Sequence, residues 1–69
     1  MTKKDYILLA RVLNEDKSRL ETDANISANT QAAALTELSI ITGKIAYTLQ
    51  QDNPRFNRAK FLQACGYTE

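Results

Sequence analysis

The chain has 69 residues, a formal net charge of +1, no histidine and a single cysteine, Cys65. A chain this short makes one small domain, residues 1–69, that buries only about 60% of its unfolded surface, so its core is marginal and help from self-association is expected. One cysteine cannot close an intramolecular disulfide, and without histidine there is no Cys/His zinc set, so neither staple supplies stability. No metal and no cofactor is expected.

At the N-terminus, "MTKKDYILLARVL" places two lysines ahead of an apolar run, as a signal peptide does. Asp5 and Arg11 interrupt it, no small-residue cleavage site follows, and no stretch approaches the roughly 18 apolar residues that cross a bilayer. A soluble protein of the cytoplasm, away from the membrane, is expected, and a lone thiol suits a reducing compartment. Charge is uneven: residues 1–20 carry a net +2, residues 21–53 a net −3 and the last sixteen a net +2. Basic ends about an acidic middle favour head-to-tail docking or an anionic ligand, although each set also fits an ordinary solvated helix face.

Three helices are predicted, at about 3–20, 30–51 and 58–65, in an all-α domain built as a long helical hairpin with a short C-terminal helix. Thr2 followed by Asp5 resembles a capping box that opens the first helix. Tyr6, Leu9, Ala10, Leu13 and Leu20 then recur at helical spacing, while Lys4, Arg11, Glu15 and Lys17 are expected to face water. Residues 21–29, "ETDANISAN", lose this periodicity and form the connection, with Ser27 or Thr30 as the next cap.

In the second helix Ala34, Leu35, Leu38, Ile41, Ile45 and Leu49 draw one core stripe. A β-hairpin about Gly43-Lys44 competes for this β-branched stretch, but the longer periodicity favours a helix. Pro54 ends it. In the third helix Asn57 is the expected N-cap, with Phe56 and Phe61 at the positions that meet as a hydrophobic staple. Cys65 as C-cap puts Gly66 where a left-handed backbone is needed and lets Tyr67 fold back on Leu62. Cys65 itself is read as a small packed hydrophobe and not a reactive thiol.

No catalytic residues emerge, because a general base would have to be a carboxylate or lysine and no paired carboxylates share a concave face. The protein is expected not to be an enzyme. "TGKI" shares Gly-Lys with a phosphate-binding loop but lacks the first glycine, the following Ser/Thr and the preceding strand. Arg55, Arg58 and Lys60 cluster beside two phenylalanines, which is the composition of a weak nucleic-acid contact. The low net charge and the role of the phenylalanines in the staple make nucleic acid an unlikely partner.

Away from the core stripe, Ala33, Ile40 and Tyr47 are spaced by seven with Gly43 between the last two, a second apolar line with a notch. Glycine in mid-helix costs about 1 kcal/mol relative to alanine. Ile40, Gly43 and Tyr47 are therefore candidates for the interface of a homodimer or higher homo-oligomer in which two copies of the second helix cross. The alternatives are that the first helix packs on this face, or that Gly43 relieves crowding inside the monomer.

The opening "MTKKDYILLARVL" and closing "DNPRFNRAKFLQACGY" resemble small, mostly uncharacterised proteins of bacteriophages, prophages and other mobile elements, which share a TKKDY-type N-terminal helix and a C-terminal NPRFxxxxFLxACG motif. The resemblance implies an accessory protein in the host-cell cytoplasm that acts by stoichiometric binding, inhibiting or modulating a host protein or defence system. A second expectation is sequestration of an anionic nucleotide-type signal at an oligomer interface, with Arg or Lys side chains and Tyr47 as contacts; weak nucleic-acid binding through residues 55–60 is a third.

Overall fold

The computed structural model describes residues 2–67 and contains three helices in them: α1 (Lys3–Thr22), α2 (Ala28–Asp52) and α3 (Arg58–Ala64). The long hairpin with a short third helix is the expected architecture, with α1 and α2 each two residues longer at the hairpin end than the periodicity indicated. The connection shrinks to five residues, 23–27.

Local chemistry accounts for each boundary. Thr2 and Asp5 form a reciprocal capping box, and Ser27 caps α2 by accepting from the Thr30 amide at 3.1 Å. That resolves the choice between Ser27 and Thr30. Asn57 caps α3 through its side-chain oxygen, which accepts from the Lys60 amide at 3.0 Å. The Phe56 and Phe61 rings meet across that cap at 5.4 Å between centroids, as a hydrophobic staple should. At its other end the Gly66 amide donates to the Gln63 carbonyl and the Tyr67 amide to the Leu62 carbonyl, the two bonds of a Schellman motif. Gly66 has φ of 98°, a left-handed conformation that favours glycine, and a Cβ there would require the Asn14 side chain, whose Oδ1 lies 2.6 Å away, to move.

The hairpin is clamped at both ends by amide side chains. Gln31 Nε2 donates to the carbonyls of Leu20 (2.8 Å) and Glu21 (3.1 Å), satisfying acceptors that the end of α1 leaves open. At the far end Asn53 Nδ2 makes a long contact of 3.5 Å to the Tyr6 hydroxyl.

The core lies where α3 crosses the hairpin. Ala10, Ala46, Phe56, Phe61 and Cys65 form its buried cluster, with Tyr6, Leu13, Ile45, Leu49 and Leu62 packed against it. Three expectations fail here. Ile41 is 43% exposed and Leu9 is also exposed, whereas Thr42 and Ala46 are wholly buried. Ile41 and Thr42 stand about 100° apart around α2. Because α3 covers the Ala46 side, the buried arc turns toward Thr42 and Ala46 and leaves Ile41 at its edge. Lys17, expected in water, instead lies along the fold: its ammonium sits 5.4 Å from the Tyr67 ring centroid and pairs with Glu21 at 3.1 Å.

Thr42 is buried with no hydrogen-bond partner for its hydroxyl. An unsatisfied buried hydroxyl costs free energy that a methyl group of the same shape does not. Thr42→Val is therefore expected to raise stability by about 1 kcal/mol, read as a higher urea midpoint. A lower midpoint would mean that the hydroxyl has a structural role.

Candidate binding surfaces

Small side chains are buried beside Phe56 and Phe61 where the helices meet, and several large apolar ones stand outside. Ala10, Thr42, Ala46 and Cys65 are buried, while Ile7, Leu8, Leu9, Val12, Ile40, Ile41 and Tyr47 are all exposed. Single exposed apolar side chains are ordinary, so the distribution of these seven over the two helices decides what they mean.

They fall on distinct faces. Ile40 (46% exposed), Gly43 and Tyr47 (56% exposed) lie along the outside of α2, turned away from α1 and α3. A Cβ built on Gly43 meets no atom within 4 Å beyond the helix's own backbone. Relief of crowding inside the monomer therefore does not explain the glycine. A second face follows from helical spacing: Ala10 and Ala46 mark the side covered by α3, so Leu9, Val12 (60% exposed) and Ile41 line the opposite, open side of the hairpin. The periodicity reading missed this face because it assigned Leu9 and Ile41 to the core.

The basic residues meet at the other end of the molecule. Lys3, Arg55 and Lys60 rim a groove of about 510 Å³ between the start of α1 and α3. Its floor is aromatic: Tyr6 and Phe56 pack at 4.6 Å between centroids, and Phe61 continues the row. Arg58, expected in the same cluster, does not line this groove, and neither does Tyr47. Lys3 was not singled out in the sequence, because only folding brings residue 3 beside residues 55–60. The ion pairs among the described residues all lie within α1, joining Arg11 to Glu15, Lys17 to Glu21 and Arg19 to Asp16. None of them involves the groove cations.

The Cys65 thiol is fully buried, and loss of solvent pushes it up to about 11, so it stays protonated at neutral pH. This is the chemistry of a packed hydrophobe. Among the described residues no cluster of His, Cys, Asp or Glu could hold a metal ion, and no helix is long and apolar enough to cross a membrane.

In comparisons with known proteins, no family model, no curated protein and no solved structure matches the chain.

The open space at Gly43 yields a direct expectation for the monomer. In dilute solution Gly43→Ala should raise stability by about 1 kcal/mol, the difference in helix propensity, seen as a higher thermal midpoint. A lower midpoint would show that α2 needs a glycine there within one chain.

Proposed function

We propose that the protein is a non-catalytic binding module that pairs with a second copy of itself along the outer face of α2. It then acts by stoichiometric binding of a host protein, as a phage or mobile-element accessory factor that modulates the host protein or a defence system. The apolar side chains left outside carry this reading: the core closes on Phe56, Phe61 and small residues, while Ile40, Ile41 and Tyr47 stay exposed. The genomic setting rests on the resemblance of the two termini.

The total surface agrees with open faces of this kind. A folded monomer of 7.8 kDa is expected to expose roughly 4,400 Å², and this chain exposes 5068 Å². The excess is about 700 Å². Its elongated form, 40 × 19 × 18 Å, contributes to that excess.

Within the proposed dimer Gly43 lets the backbones of two α2 helices approach, with Ile40 and Tyr47 on either side of the crossing. The open side of the hairpin, around Val12 and Ile41, then remains for the host protein. The mass in solution tests the pairing. Light scattering at about 100 μM, a concentration at which a dimer with micromolar Kd is formed, should give twice the chain mass for the wild type and the monomer mass for Ile40→Glu/Tyr47→Glu with unchanged helicity. A monomeric wild type, or a dimer unaffected by the two charges, would refute it.

A further inference from the structure

The groove at the basic end is separate from both apolar faces and complete within one chain. Three cations, Lys3, Arg55 and Lys60, converge on it from α1 and from the 53–60 segment, and no carboxylate is among its lining residues. Its walls are predominantly apolar, with Tyr6, Phe56 and Phe61 beneath the charged rim. Its volume, about 510 Å³, lies within the range of ligand sites, roughly 300–1,000 Å³. The amides of Asn53 and Asn57 also border it. Each oxygen is engaged, Asn53 Oδ1 by the Arg55 amide and Asn57 Oδ1 by the Lys60 amide, so the local turns hold both side chains in place.

We infer that this groove binds a small molecule in which an anionic group is joined to a flat apolar ring. The anion sits between Lys3, Arg55 and Lys60, where a guanidinium offers paired donors and the ammonium groups offer point charge. The ring lies over Tyr6, whose side chain is the partly exposed member of the aromatic row. Neither half of the ligand suffices alone, because the cations are solvent-screened at the rim and the apolar floor is shallow. A nucleoside phosphate and an aromatic carboxylate both satisfy this description. The site needs no second copy, so it stands or falls independently of the proposed dimer.

The experiment is an amide-resolved NMR titration of the whole chain with four probes: 5′-AMP, 2-naphthoate, inorganic phosphate and adenosine. The expected result is that AMP or naphthoate shifts the amides of Lys3, Tyr6, Asn57 and Lys60 with saturation below millimolar concentration, at least tenfold tighter than phosphate or adenosine. Which of the two saturates first identifies the source of the anion. Arg55→Glu/Lys60→Glu changes two exposed residues; it should leave the helical spectrum intact and weaken binding at least tenfold. The inference is overturned if neither AMP nor naphthoate moves those amides, or if phosphate alone binds as well as AMP. Undiminished binding by the charge-reversed variant would also overturn it. Tight binding of a random single-stranded oligonucleotide without binding of AMP would replace it with a nucleic-acid contact.

Discussion

Three helices can meet in a chain of 69 residues only if their axes come close, and here small side chains permit it. Ala10 of α1, Thr42 and Ala46 of α2, and Cys65 at the end of α3 are all buried at these meetings. Larger residues at those positions would push α3 off the hairpin, and with it Phe56 and Phe61, the largest apolar groups in the buried cluster. A seven-residue helix such as α3 has no stability of its own and persists because these rings are seated and both ends are capped. The caps at Asn57 and Gly66 and the alanine and cysteine sites therefore act together.

The same constraint dictates what remains outside. Because α3 is short and lies on one side of the hairpin, it covers the half of α1 and α2 near Tyr6 and Asn53. Toward the connection the two long helices have Leu20 and the Gln31 clamp to hold them. The apolar residues that found no place in so narrow a core, Val12, Ile40, Ile41 and Tyr47 among them, form faces with no covering element among the described residues. The occupant proposed for the outer face of α2 is a second copy, because its unobstructed glycine lies between Ile40 and Tyr47.

Much of the architecture was legible because it is written in short-range chemistry. The Thr2–Asp5 box, the Asn57 cap, the staple between Phe56 and Phe61, and the Gly66 terminus each depend on residues within a few positions of one another. The facing of α2 was not legible in the same way. Ala34, Leu38, Ile41 and Ile45 make as regular a stripe as Leu38, Thr42, Ile45 and Leu49, and periodicity gives weight to size and apolarity. The deciding fact is which side α3 covers, a tertiary choice that favours the small residues. Lys3 escaped for a similar reason, since its neighbours in the groove stand some fifty residues away in the chain. Ile40, Gly43 and Tyr47 did prove to share an exposed face, because residues that share a helix keep their angular relation whatever packs against it.

The molecule divides into a closed end, where α3 makes the core and the basic groove, and an outer surface whose apolar side chains are proposed to be covered by association. If association supplies part of the stability, mass action must appear in unfolding itself. The direct measurement is the thermal midpoint over a hundredfold range of protein concentration. The midpoint should rise steadily with concentration, and Ile40→Glu/Tyr47→Glu should abolish the rise. A midpoint independent of concentration in the wild type would contradict the proposed association.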